Sequence, residues 1–110
     1  VVDLASEDFP LWMAAMGGHH EVVAALLAAR ANVDQADNDG RTPLLMAAQG
    51  GHHEVVAALI AARANVDQAK NDGATPLLIA AHGGHLEVVK ALLDAHATVD
   101  KAMKELAKRR

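Results

Sequence analysis

Residues 35–67 read QADNDGRTPLLMAAQGGHHEVVAALIAARANVD, and residues 68–100 repeat that string at 23 of 33 positions. Residues 10–34 match residues 43–67 at 22 of 25 positions, differing at Trp12, Met16 and Leu27. A fixed period of this length describes supersecondary units that bury their apolar faces only against one another. The architecture is therefore a stack, which moves the expected function from a catalytic cleft to a surface. One shortened repeat (1–34), two complete ones (35–67 and 68–100) and a tail (101–110) fill the chain as a single domain. That is close to the three or so repeats a solenoid needs to stand alone.

Each unit reads the same way physically. Asp37, Asn38, Asp39 and Gly40 are turn residues, able to adopt the left-handed conformations that a tight reversal demands. Thr42 offers a hydroxyl as helix cap, and Pro43 suits the first helical position, where its missing N–H costs nothing. Leu44, Ala47 and Ala48 give this helix an apolar face, and Gly50 and Gly51 end it after roughly two turns. A second helix is predicted from about His53, with Val55, Val56, Leu59 and Ile60 on its buried side. The unit is turn, short helix, loop, longer helix, and the fold class is all-α.

Asp37, Gly40, the run Thr42, Pro43, Leu44, the pairs Ala47, Ala48 and Gly51, His52, then Glu54, Val55, Val56, Leu59 and the closing Ala64, Asn65, Val66, Asp67 together resemble the ankyrin repeat. The pattern returns from Gly73 to Asp100, and the resemblance covers residues 10–100. It implies a solenoid of stacked helix-turn-helix units with short β-hairpin turns projecting at one edge and the first helices lining a concave face. It also implies a protein-binding scaffold without catalytic activity. The near identity of the repeats favours an engineered or consensus-like chain, with a recent tandem duplication as the alternative source of the identity.

Departures from the family pattern carry their own expectations. The family's usual histidine after the first helical leucine is Leu45, Leu78 and, in the first repeat, Trp12, so its hydrogen-bonded ties between turns are expected to be lost. Arg30, Arg63 and His96 stand where the family usually has glycine. A left-handed conformation there costs roughly 1 to 2 kcal/mol, so remodelled helix ends are expected. Lys70 replaces the acidic turn residue and should cost the third turn one local hydrogen bond. Upstream of Pro10 the spacing is two residues short, which predicts a missing or distorted first hairpin. Downstream, Ala102, Met103 and Leu106 make a narrow apolar stripe among strong helix formers, which predicts a short C-terminal capping helix. A start at Val1 points to a trimmed chain or a fragment.

Composition limits the function classes. With 25 Ala, one Trp, one Phe and no Tyr, the core is thin aliphatic packing. A net charge of −4 with acids in the turns argues against a nucleic-acid footprint, which needs a basic face. The absence of cysteine excludes disulfides and thiol nucleophiles and leaves the compartment open. No run reaches the roughly 18 apolar residues of a membrane span, and no signal peptide is visible, so a soluble protein is expected. The seven histidines form no convergent metal set, since adjacent residues on a helix point about 100° apart. Instead His19, His52 and His85 match the family's structural Gly-His, while His20 and His53 are expected to be exposed. Neither cofactor nor small-molecule substrate is expected, and no nucleophile stands beside a base.

What repeats is explained by the stack, so function should sit where the repeats disagree. The resemblance maps partner contacts to Asn38, Asp39, Arg41, Met46 and Gln49, to Asn71, Asp72, Ala74, Ile79 and His82, and to Met13 and Met16, with Trp12 as a further point of difference. Met13, Met46 and Ile79 form one row, expected to be either an exposed apolar patch or partly covered by neighbouring turns. Ala24, Ala28, Ala57 and Ala61 make an uncharged outer helix face. With Met103 and Leu106 it offers an alternative, self-association with another copy of the chain.

Overall fold

The computed structural model describes residues 8–95; the C-terminal helix predicted for residues 101–110, with Met103 and Leu106, and the shortened stretch before residue 8 lie outside them. Six helices follow in order: α1 (Asp8–Gly17), α2 (His20–Ala28), α3 (Pro43–Gly50), α4 (His53–Ala61), α5 (Pro76–His82) and α6 (Leu86–Asp94). Each odd helix pairs with the even helix that follows it. The first helices α1, α3 and α5 then pack in one row, and the second helices α2, α4 and α6 in another.

The caps fall where the sequence places them. Thr42 and Thr75 are buried in extended conformation, and their Oγ1 atoms accept the amides of Leu45 and Leu78, each at 3.2 Å, with proline at the first helical position. Gly51 closes α3 in left-handed conformation at φ 71°, its amide donating to the Ala48 carbonyl. In the first repeat the helix starts at Asp8, two residues before Pro10, so Phe9 is helical where the later repeats carry their capping threonine.

The predicted remodelling of the second-helix ends does not occur. Arg30 and Arg63 hold φ of 66° and 68°. Ala64 N–H reaches the Leu59 carbonyl at 3.0 Å and Arg63 N–H the Ile60 carbonyl at 2.9 Å, the paired bonds of a glycine-type helix terminus made without glycine. Two satisfied carbonyls and a turn that must lead into the next repeat outweigh the strain. His96 lies outside the described residues.

The turn tips are hairpin-like without forming strands; among the described residues there is no strand. Gly40 N–H closes on the Asp37 carbonyl at 3.0 Å and Asp37 N–H on the Arg41 carbonyl at 3.0 Å, and Gly73, Lys70 and Ala74 repeat the pair.

The core runs continuously through the stack, built from Leu11, Val23, Leu44, Val55, Val56, Leu59, Val88 and Leu92 with buried alanines between them. Histidines set the spacing of successive repeats. His52 Nε2 lies 3.1 Å from the Met16 carbonyl and His85 Nε2 3.0 Å from the Gln49 carbonyl. A carbonyl only accepts, so Nε2 carries the proton and donates to an orphan carbonyl at the end of the preceding repeat's first helix. The ring edge occupies the space that a Cβ at Gly18 or Gly51 would need, with Nδ1 at 2.6 Å in both cases. The loss of ties at the Leu45 and Leu78 positions is thus offset one helix later.

Two substitutions test these termini. Gly51→Ala both strains a positive φ and displaces His85, and should lower unfolding free energy by about 2 to 3 kcal/mol. Gly84→Ala, where φ is 72° but no described atom lies within 4 Å, should cost only the strain of about 1 to 2 kcal/mol. Urea titration of both variants gives the difference, and equal losses would show that the histidine contact contributes nothing. Arg63→Gly relieves strain at some cost in unfolded-chain entropy and should raise the urea midpoint, a gain of about 0.5 to 1 kcal/mol.

Candidate functional site

Two tips and two helices build the surface on which the repeats differ. In the second repeat Asp37 organises the tip. Its Oδ1 accepts the amides of Asp39 at 3.0 Å and Arg41 at 2.9 Å, and its Oδ2 accepts Arg41 Nε at 2.7 Å. Partial burial pushes the Asp37 carboxyl up, yet the donors of Arg41 and Asp39 outweigh it and hold the group below the usual carboxylate range. Arg41 Nη2 also lies 3.6 Å from the exposed Asp39 carboxylate.

The third tip solves the same problem with different residues. Lys70 cannot accept amide hydrogens, so Asp72 takes over: its Oδ1 accepts the Ala74 amide at 3.0 Å and its Oδ2 accepts Lys70 Nζ at 2.7 Å. The lysine hydrogen bond and the Ala74 amide lower the Asp72 carboxyl. The bond expected to be lost is thus exchanged in part, and the amide of the residue after the glycine keeps a carboxylate acceptor.

The tips are also joined to one another. Asn71 N–H donates to the Asp39 carbonyl at 2.8 Å and Asn71 Nδ2 to the Asn38 carbonyl at 2.9 Å. Asn65 N–H similarly reaches Asp34 Oδ1 at 2.9 Å. Asn71 therefore works as a link between tips, although its side chain stands at the surface.

Trp12 corrects the expectation of a lost tie in the first repeat. Its Nε1–H donates to the Arg41 carbonyl at 3.0 Å, and the Arg41 guanidinium lies 5.6 Å from the ring centroid. Phe9 stacks on the same ring at 6.1 Å. The indole thus holds the next tip against the first helix. It is buried, so its surface is spent on Arg41 and on the cluster it forms with Leu45 and Met46.

The apolar row is only partly exposed. Met13 is 44% exposed, Met46 is 6% exposed and Ile79 is half-buried against the Trp12 cluster. Met46 is therefore no contact residue on an open patch: the indole of the preceding repeat and Ile79 of the next one cover it. Three residues further along the same helices, Met16, Gln49 and His82 form a second row, and all three are exposed.

A cleft of about 340 Å³ opens between the tips and the first helices, lined by Arg41, Gln49, Lys70, Ile79, His82 and Gly83. It brings together four residues expected from the sequence, Arg41, Gln49, Ile79 and His82. It leaves Asn38, Asp39, Asn71 and Asp72 on the tips, Ala74 half-buried beside them, and Met13 and Met16 on α1. Lys70 is an addition, and its signal was present: it is one of the ten positions at which residues 35–67 and 68–100 differ.

On the other side, Ala24, Ala28, Ala57 and Ala61 are exposed on α2 and α4. His20 and His53 are exposed as expected, and His20 Nδ1 lies 3.4 Å from Glu54 Oε2 of the next repeat. Among the described residues no three His, Asp or Glu side chains gather as a metal site, and no helix is long and apolar enough to cross a membrane.

The sequence matches the family of ankyrin repeats, in three copies, over residues 11–104. No curated protein matches the chain.

The tip predicts an acid response. A carboxyl lowered in the folded state contributes stability that is whole above about pH 4, the ordinary carboxylate value, and is lost as pH falls through the lower folded value. Asp37→Asn should therefore be less stable than the parent at neutral pH and lose less stability on acidification below about pH 4. Urea midpoints across that range check it, and parallel curves would remove Asp37 from the acid limb.

Proposed function

The chain belongs to the ankyrin-repeat family, whose members generally serve as non-catalytic protein-interaction modules. From that membership we propose that it is a scaffold that binds a protein partner through its turn tips and its first-helix face. The observation that carries this reading is the cleft between α3, α5 and the second and third tips. Five of its six lining residues sit at positions where the repeats differ, while Gly83 repeats Gly50 and Gly17. The glycines, threonine caps, histidines and buried leucines that recur are consumed by helix termination and stacking. The differing positions on the tips and first helices, 37/70, 41/74, 46/79 and 49/82, each contribute at least one residue to this opening.

Its chemistry suits a mixed segment of a partner. Ile79 gives an apolar wall, Gln49 and His82 give adaptable hydrogen-bonding groups, and Arg41 and Lys70 are held in place by their own tip carboxylates. Pre-ordered cations lose less side-chain entropy on contact than free ones. The alanine face of α2 and α4 offers small side chains alone.

Panning a displayed peptide library against the immobilised chain tests the reading. Selected peptides should bind Ala57→Glu as they bind the parent and should lose at least tenfold in affinity for Ile79→Glu. Peptides that are insensitive to Ile79→Glu and lost with Ala57→Glu would place recognition on the outer helices and overturn the proposal.

A further inference from the structure

The cleft between the second and third tips has both of its walls among the described residues, so its opening belongs to the fold and not to either end of the chain. Met16 and Gln49, which hold the place of His82 in repeats that another repeat follows, are exposed as well. What the cleft can hold is set by the donors and acceptors that its own side chains leave unspent.

Donors dominate. Arg41 Nε donates to Asp37 Oδ2 at 2.7 Å, while Nη2 stands 3.6 Å from Asp39 Oδ2, too far for a hydrogen bond. Among the described residues both amino groups of the guanidinium are therefore without an acceptor, and the Trp12 ring, 5.6 Å away, backs the fork. Lys70 Nζ donates to Asp72 Oδ2 at 2.7 Å and keeps its other N–H bonds. The side chains of Gln49 and His82 make no hydrogen bond among the described residues. Against these donors the lining sets only the Gln49 amide oxygen and an imidazole nitrogen as side-chain acceptors; it contains no carboxylate. Asp37, the acid that positions Arg41, has a side chain only 9% exposed and is spent on the tip amides.

Resting on the reading of this cleft as the partner surface, we infer that its ligand is a peptide segment carrying one carboxylate beside an aliphatic side chain. The carboxylate meets the free amino edge of Arg41, a planar fork that can take both carboxylate oxygens, and Lys70 adds a second cation. The aliphatic neighbour packs on Ile79, and Gln49 and His82 bond to the main chain of the same segment. A single carboxylate is favoured over a run of acids. Asp39 and Asp72 stand on the tips with side chains 72% and 62% exposed, and they repel any further negative charge.

An array of immobilised peptides with blocked ends, each carrying one residue pair in an otherwise Gly-Ser frame, tests the assignment with the purified chain. Pairs of Leu or Ile with Glu or Asp should bind best, and exchanging the acid for its amide should weaken binding roughly tenfold. Arg41→Gln should cost the acidic peptides the same factor and leave the amide peptides unchanged, which a general loss of structure could not do. Lys70→Gln, on the other tip, should also weaken the acidic peptides alone. Free polyglutamate and inorganic phosphate should each compete roughly tenfold less well than the best acidic pair. Ile79→Gln, which removes the apolar wall without adding charge, separates this inference from the reading beneath it. If bound peptides are weakened by Ile79→Gln but acid and amide forms bind alike, the inference falls and the cleft reading stands. The same holds if Arg41→Gln weakens both forms equally, or if polyglutamate or phosphate competes as well as the pair. Bound peptides indifferent to Ile79→Gln overturn the cleft reading and the inference with it, and an array on which no pair binds overturns the inference.

Discussion

The structure depends on one repeated contact: an imidazole from one repeat donating to the helix-end carbonyl of the repeat before it, across a glycine that has no Cβ. A first helix of seven or eight residues leaves a large share of its carbonyls unpaired, and such short helices do not persist alone. His52 and His85 pair one carbonyl in each preceding repeat and fix the distance at which the apolar faces meet. The glycines at 18 and 51 serve two ends at once, supplying the left-handed terminus and admitting the ring. Neither histidine caps its own helix, although each stands at the N-cap position.

A second set of ties runs along the tips, and there the repeats are free to differ. Asp37 with Arg41, and Asp72 with Lys70, reach equivalent tip geometry from different residues, because a tip needs a carboxylate acceptor and a compensating cation somewhere within four residues. The consequence for function is that the cations can change place without loss of the turn. Arg41 and Lys70 thereby come to flank one cleft from neighbouring tips. Only Arg41 is also gripped from below, by the Trp12 indole, so the second tip is the better anchored of the two.

Much of this was legible in the sequence because the period exposes it. Thr42, Pro43 and Gly51 announce a helix by local chemistry, and the observed bounds of α3 and α4 follow them to within a residue. What escaped depends on contacts between repeats. Met46 reads as a surface residue within its own unit and is buried only because Trp12 and Ile79 come from the units on either side. Trp12 reads as the loss of a histidine tie, since nothing local shows that an indole N–H reaches the Arg41 carbonyl 29 residues away. Arg63 reads as a disrupted terminus because residue preference counts the strain of positive φ and not the two carbonyls satisfied by accepting it. Of the period-breaking positions on the first helices, Met16, Gln49 and His82 are exposed while Trp12 and Met46 are buried, and Lys70 shows that the period alone could have supplied one more cleft residue.

Stability along such a chain is a sum of neighbour terms, so it is unevenly spread. The second repeat is covered on both sides, and Leu44, Leu45, Val56 and Leu59 are fully buried; in the third, Leu77, Leu78 and Val89 are only half-buried. The cleft between the tips spans that gradient, with Arg41 and Gln49 on the firm side and Lys70, Ile79 and His82 on the looser one. A ligand that touches both walls must hold α5 against α3, and by mass action its binding free energy is added to the weakest junction of the stack.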